Sequence, residues 1–183
     1  MPSTDASPRF EAILQQPQSD GGEAPWAFVL VPKSISDTLS RRGRTTVHCA
    51  INGCAFQVLL EPDGALSHWF RISSEFMDAA RVEVGDQAEF HITPLAEEPE
   101  PQLPSDFQRA LSSAPEAEKV WNATTTIARI DWVHWIVSAK QAKTRAKRIA
   151  DACEMLSSGK RRVCCFDPSG FYSKTFAAPK AMG

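Results

Sequence analysis

The chain has 183 residues and a formal net charge of −2, with 43% hydrophobic and 23% charged residues. This length allows one domain or two small ones, and the composition is that of a globular protein with a sizeable core. No apolar run approaches the roughly 20 residues that a membrane-spanning helix needs, and the opening MPSTDASPRF lacks the pattern of a secretory signal. Five cysteines show no disulfide-framework spacing, so we expect a reduced, cytoplasmic protein without a membrane partner.

The first 95 residues predict six short β-strands. The segments that indicate them are RFEAILQ, PWAFVLVP, TTVHCAING, CAFQVLLEP, ALSHWFRIS and QAEFHIT. Asn52-Gly53 is a favoured two-residue hairpin turn, and Asp63-Gly64 marks another turn. Two interruptions, SISDTLSRRG (34–43) and SSEFMDAARVEVGD (73–86), have helical patterns. Six short strands at close spacing favour a small closed β-barrel over an open sheet.

A connector rich in proline and glutamate follows the strands. Its prolines fix φ and remove amide donors, which predicts an extended and fairly stiff segment. The chain is therefore predicted to be an α+β protein. Its expected parts are a barrel domain (1–95), the connector (96–104), a helical module (105–162) and an irregular C-terminal tail (163–183).

The helical module is expected to contain about four helices. Ser105 with Gln108, and Ser113 with Glu116, resemble capping boxes at two helix starts. Thr124 or Thr125 can cap a third helix. Its predicted buried face has the three-and-four spacing of Ile127, Ile130, Val133 and Val137. A fourth helix is predicted from about 142 to 156, ending near Gly159, with an apolar stripe formed by Ala142, Ala146, Ile149, Cys153 and Leu156.

The segment WIVSAKQAKTRAKRIADACEMLSSGKRR (135–162) has eight Lys or Arg residues against two acidic ones. Most of these cations are expected to form a solvated helix face. Arg145 lies at the edge of the predicted apolar stripe, where a guanidinium needs an acceptor, whereas Arg148 is predicted to point away from the core. One interpretation ties Arg145 to a helix C-terminus or to a glutamate of the connector.

The other interpretation is an anion site. We predict that such a ligand-binding site would be formed by Arg145, Arg148, Lys140, Trp135 and Trp26. Trp132 and Trp135 beside the arginines also allow a surface on which bases stack, although core packing is the commoner role of such tryptophans.

The other residues that could form a functional site are interpreted mainly as structural. His48 and Cys49 are adjacent on a strand and face opposite sides, so no metal site is expected there. Cys49 and Cys54 are interpreted as core residues, and Cys164 and Cys165 as inert thiols of the tail, with a redox role as the alternative. His68 and His91 are predicted to be structural. Arg41, Arg42 and Arg44 form a second basic cluster, either solubilising or anion-binding.

The helical motif resembles the YdeI or OmpD-associated family, often labelled bacteriocin-protection proteins. The residues that carry this resemblance are Trp135-Ile136, Ala139-Lys140, Thr144-Arg145, Arg148-Ile149 and Gly159-Lys160, together with the lead-in LPSDFQRALSSAPEAEKVW. The first half is similar to a small barrel domain of unknown function through FEAIL, PWAFVLVP, INGCAFQVLLEPDG and VGDQAEF. The resemblance implies a double-split-like β-barrel followed by a helical module, with no catalytic residue to carry over.

These observations favour a non-enzymatic cytoplasmic binding or regulatory protein, linked through the family to stress or bacteriocin tolerance. One alternative is a binder of an anionic small molecule, or an enzyme, with its site between barrel and helices. Another is a nucleic-acid-binding homodimer, against which the acidic net charge argues. No cofactor is expected.

Overall fold

The computed structural model describes residues 7–18, 25–164, 166–174 and 176–182. The chain divides into two compact units. The barrel unit comprises Met1–Ala96 with Ser169–Gly183, and the helical unit comprises Glu97–Pro168. Among the described residues, every helix is too short or too polar to traverse a bilayer.

The described residues of the barrel unit form six antiparallel strands in one sheet of order β1-β6-β3-β4-β5-β2. The strands are β1 (Arg9–Ile13), β2 (Trp26–Val31), β3 (Thr45–Ile51), β4 (Cys54–Pro62), β5 (His68–Ser73) and β6 (Gln87–Pro94). Gln15, just past β1, exchanges two backbone hydrogen bonds of 2.9 Å with Phe28 of β2. The two outer strands therefore meet, and the sheet closes almost completely into the predicted barrel.

Alternating residues of each strand fill the barrel. Phe70, Phe90, Leu60 and Ile72 are fully buried there. The Asn52-Gly53 turn is confirmed: both residues have positive φ, of 50° and 78°, as a type I′ hairpin requires.

Two short helices lie between strands, α1 (Lys33–Ser36) and α2 (Ser74–Ala80). The helix predicted over 34–43 was too long. The amide of Asp37 still bonds to the carbonyl of Lys33, but the amides of Thr38 and Leu39 make i to i+3 bonds. The following loop then binds a buried histidine instead of continuing the helix. Helix α2 ends at Arg81, which adopts the left-handed conformation.

The last residues of the chain pair with the barrel unit. Ala181 bridges to Pro17, and Gln18 donates to the carbonyl of Lys180. A Cβ atom at Gly64 would lie 2.1 Å from the carbonyl oxygen of Phe176, so this turn needs glycine. The described part of the tail is therefore built into the barrel unit.

In the described residues of the helical unit, four helices follow the connector. They are α3 (Ser105–Ser112), α4 (Pro115–Ala123), α5 (Thr126–Val137) and α6 (Ala142–Ser157). Phe107, Trp132, Ile136 and Leu156 are fully buried in their common core. The α+β class and the helix count are thus as the sequence predicts.

The predicted helix caps were right at one helix and wrong at two. The Thr125 hydroxyl accepts from the Ala128 amide at 3.2 Å and caps α5. Neither Ser105 nor Ser113 caps a helix start, because α3 follows Pro104 directly and α4 starts at Pro115, and Ser113 instead ends α3. A proline with fixed φ can start a helix without a side-chain cap.

Two predicted buried faces also need correction. Ile127 is 40% exposed, because it lies in the first turn of α5 at the surface. On α6, Ala142 and Ala146 are exposed, and the buried residues are Ile149, Ala152 and Leu156. The packed face is therefore rotated toward the positions of the two arginines.

Candidate functional site

Arg145 has an acceptor inside the helical unit. Its guanidinium donates to both carboxylate oxygens of Asp106 in the first turn of α3, at 2.8 and 3.1 Å. This ion pair lowers the pKa of Asp106 and raises that of Arg145. About one third of each side chain is exposed. The pairing partner is thus neither a connector glutamate nor a helix C-terminus.

Arg148 and Trp135 are brought together at the C-terminal end of α5. The guanidinium donates to the Trp135 carbonyl at 2.6 Å and to the Ser138 hydroxyl at 3.1 Å, and it lies 5.5 Å from the Trp135 ring. A cation at this position satisfies orphan carbonyls and opposes the negative end of the helix dipole. Lys140, two residues after Ser138, is exposed.

A third arginine of this unit is bound in the same manner. Arg129 donates to the carbonyls of Trp121 and Thr124 and forms two bonds to Glu100 of the connector, which also accepts from Thr126. The partly buried arginines of the helical unit therefore link its helices and the connector to one another. Ligand binding by Arg145 and Arg148 stays a prediction, and it would have to displace these bonds.

Trp26 lies in the other unit, on β2. The guanidinium of Arg71, from the neighbouring strand β5, lies 4.4 Å from the Trp26 ring. Arg71 was not singled out in the sequence, where it appears as one outward-facing residue of a strand. Its position becomes notable because it lies beside an opening in the barrel wall between β4 and β5.

The seam is the place where β4 and β5 separate. The two strands pair only at Glu61 with Trp69 and at Pro62 with His68. Beyond these pairs they diverge, and α2 leaves the end of β5. The sulfur of Cys54 and the side chain of Asn52, at the start of β4, hydrogen-bond to carbonyls at the end of α2. Two strands and a helix therefore frame a three-sided opening in the barrel wall.

A cavity of about 340 Å³ occupies this opening. Its apolar part includes Phe56, Val58, Leu59 and Phe76, and the rings of Phe56 and Phe76 lie 4.2 Å apart between centroids. Leu59 and Phe76 are 39% and 37% exposed, so part of the apolar lining faces solvent. Cavities of this size and character are typical of small-ligand sites.

The polar part of the cavity includes Arg71, Glu61, Gln57 and Ser73. Glu61 is bound by Arg44 at 2.6 Å, so its charge is compensated. Arg71 is the cation of the lining, and it also has contacts of its own, among them the Trp26 ring. An apolar floor with one cation at the rim suits a ligand that is both apolar and anionic.

The buried pair formed by Ser36 and His68 does not make a second site. The Ser36 hydroxyl is bonded to Nδ1 of His68, whose Nε2 lies 3.0 Å from the carbonyl of Gly43, and both side chains have no exposed surface. Burial lowers the pKa of His68. This histidine is structural, as the sequence predicts, and it anchors the loop after α1.

Other predicted candidates have structural surroundings. Cys49 is buried, which raises the pKa of its thiol to about 12, and His48 lies on the opposite, exposed face of β3. His91 is bonded to Glu89. Arg42 is paired with Asp37. Cys164 is exposed, and Cys165 lies outside the described residues.

A second cavity, of about 240 Å³, lies in the helical unit. Its lining has one acid and one base besides apolar residues, namely Ala128, Asp131, Arg162, Val163, Phe166 and Pro168. In the described part of the chain, no three His, Cys, Asp or Glu side chains are placed to hold a metal ion.

The fold and site define an α+β protein in which a nearly closed six-stranded barrel with a lined cavity precedes four helices. Residues 100–159 match the family described as bacteriocin-protection, YdeI or OmpD-associated, and residues 10–92 match a domain of unknown function, DUF1905. The helical unit is thus similar to the YdeI or OmpD-associated family and the barrel unit to that domain, as the resemblance in the sequence predicts. No curated protein matches the chain.

Proposed function

We propose that this protein is a non-enzymatic, cytoplasmic binding protein whose barrel takes a small amphipathic carboxylate in the seam cavity. The observation that carries the proposal is the cavity of about 340 Å³ where β4 and β5 separate, lined by apolar side chains with Arg71 at its rim. Its volume lies at the small end of the range for ligand sites. The ligand is therefore small.

The apolar lining supplies the affinity, and the arginine supplies the selectivity. Burial of an apolar group against Phe56, Phe76 and Leu59 contributes about 25 cal/mol for each Å² removed from water. A carboxylate on the Arg71 guanidinium forms a charge-assisted hydrogen bond, which is stronger than a neutral one. Because Glu61 is paired with Arg44, it does not repel this carboxylate strongly.

The pair of side chains that most resembles a catalytic pair is buried, which favours binding over catalysis. Ser36 and His68 resemble a nucleophile and its base in contact, yet neither side chain has exposed surface. A substrate cannot reach them in this fold. The family description concerns protection against bacteriocins, and a binding protein that responds to a metabolite is compatible with such a phenotype.

Calorimetric titration with 4-methylpentanoate tests the proposal. We expect saturable binding at one site, weakened at least tenfold by Leu59→Glu, since the new carboxylate occupies the lining and repels the ligand. The matched control is Leu30→Glu, because Leu30 is 41% exposed on β2 and does not line the cavity. Equal affinity in both variants would refute the site, and so would the absence of any binding.

The role of Arg71 is tested separately. Arg71→Gln should weaken binding of the carboxylate and abolish its preference over the uncharged amide of the same acid. Arg9→Gln, which changes an exposed arginine on β1, should leave both affinities unchanged.

A further inference from the structure

The backbone edge of β4 defines the ligand class more closely, and this step depends on the proposed function of the same cavity. If the β4–β5 ladder continued in register beyond Glu61 and Trp69, Leu59 would face Arg71 and Gln57 would face Ser73. All four of these residues line the cavity. The cavity therefore lies where the missing rungs of the ladder would be.

The direction of the backbone groups follows from the register. In an antiparallel pair, alternate residues direct both their N–H and C=O groups to the same side. Phe28 uses both groups to bind Gln15, away from β5. Its partner Arg71 is therefore in a non-bonded pair with β2, and the backbone groups of Arg71 and Trp69 point toward β4.

The same alternation applies to β4. Glu61 faces Trp69 in the ladder, so Leu59 and Gln57, two and four residues earlier, direct their N–H and C=O groups to the same side as Glu61. That side is the seam cavity. No described residue forms a backbone pair with Leu59 or Gln57 across the seam.

These edge groups have a defined chemical complement. A residue opposite Leu59 in a bonded antiparallel pair would donate its N–H to the Leu59 carbonyl and accept from the Leu59 N–H. A single amino acid with an acylated nitrogen carries the same donor and acceptor, an amide N–H and a carboxylate oxygen. Its second carboxylate oxygen faces Arg71, and its apolar group lies against Phe56 and Phe76.

The geometry points to an N-acyl amino acid with an apolar side chain as the ligand of the seam, bound by β-type pairing with Leu59 and by its carboxylate on Arg71. A free fatty carboxylate satisfies only the apolar and ionic parts of this site. A longer peptide strand fits less well, because α2 spans the end of the seam at Cys54. The pairing with Leu59 is what distinguishes this ligand class.

Calorimetric titration of the full chain with four probes tests the inference. The probes are N-acetyl-L-leucine, its N-methyl derivative, its methyl ester and 4-methylpentanoate. We expect N-acetyl-L-leucine to bind most tightly and removal of its N–H by methylation to weaken binding about fivefold, as for the loss of one hydrogen bond. The ester should be weakened more, because its ionic contact is lost.

The outcomes separate the two proposals. Equal affinities of N-acetyl-L-leucine, its N-methyl derivative and 4-methylpentanoate would overturn the backbone pairing and leave the carboxylate-binding function standing. Failure of all four probes to bind would overturn the proposed function itself. A conformational effect of N-methylation is controlled by N-acetyl-L-proline, which has no N–H in a cyclic frame and should bind as weakly as the N-methyl probe.

Discussion

The two units differ in how their secondary structure is completed. In the helical unit, Arg129, Arg145 and Arg148 are bonded to carboxylates and helix-end carbonyls of the unit itself. In the barrel unit, a ladder of hydrogen bonds stops short and leaves a cavity with Arg71 at its rim. The proposed site therefore lies at an interrupted β-ladder, whereas the partly buried arginines of the most basic segment already have partners within their own unit.

The largest expected effect is a difference in the loss of stability between a substitution in the barrel interior and one at the seam. Phe70 has no exposed surface, whereas Phe76 is 37% exposed at the cavity. We expect Phe70→Ala to lower the free energy of unfolding by about 3–5 kcal/mol, and Phe76→Ala to lower it by about 1 kcal/mol. Urea unfolding followed by circular dichroism measures both. Equal losses would mean that the seam is as tightly packed as the barrel interior.

The next effect concerns the buried histidine of the barrel unit. Ser36→Ala leaves Nδ1 of His68 without its partner, so we expect a loss of about 1–3 kcal/mol in the free energy of unfolding. Ser34→Ala changes an exposed residue of the same helix and is the control. A loss no larger than that of the control would show that the bond between Ser36 and His68 contributes nothing.

The same histidine makes stability depend on pH. Because burial lowers the pKa of His68 from its ordinary 6.5, the unfolded chain binds a proton more readily than the native protein. The contribution of neutral, buried His68 to the free energy of unfolding is therefore fully present above about pH 7. The free energy of unfolding falls by up to about 1.4 kcal/mol per pH unit as the pH drops below about 6.5. His68→Gln should flatten this slope, whereas His48→Gln, on an exposed residue, should not.

A smaller effect tests the helix starts. Thr125→Ala removes the side-chain cap of α5 and should cost about 1 kcal/mol. Ser105→Ala removes a hydroxyl that caps nothing and should change stability by less than about 0.5 kcal/mol. The reverse order would restore the capping-box interpretation of the sequence.

The smallest effect concerns the ion pair between Arg145 and Asp106. A double-mutant cycle with Arg145→Ala and Asp106→Ala should give a coupling energy of about 0.5–1 kcal/mol, because solvent screens a pair that is one third exposed. Since Arg145 lowers the pKa of Asp106, the coupling should be present above about pH 4 and disappear as the pH falls further. A coupling of zero at neutral pH would leave Arg145 available for another partner.

The sequence was sufficient for the architecture, because local patterns determine it. Alternation in segments such as TTVHCAING, the Asn52-Gly53 turn and the three-and-four spacing of α5 and α6 predict the strands and helices. Pro104 and Pro115 mark the starts of α3 and α4 better than Ser105 and Ser113, which do not cap them. The rotation of α6 was missed because Arg145 and Arg148, rather than alanines, face its neighbours.

The seam could not be found in the same way. Its existence depends on which strands are neighbours and on how many rungs they share, and β4 and β5 share only two. These are properties of the closed sheet, and no residue type in a single strand signals them. The exposed Leu59 and Phe76 look like ordinary strand and helix residues until the sheet order is known.

The most direct test is a nuclear magnetic resonance titration of the full chain with N-acetyl-L-leucine, observing backbone amides and arginine side chains together. We predict saturable shifts of the Leu59 amide and of the Arg71 Nε–H signal, with the Nε–H signal of Arg145 unchanged. A shift of the Arg145 signal, with Leu59 and Arg71 unaffected, would contradict this prediction and would place the binding site in the helical unit.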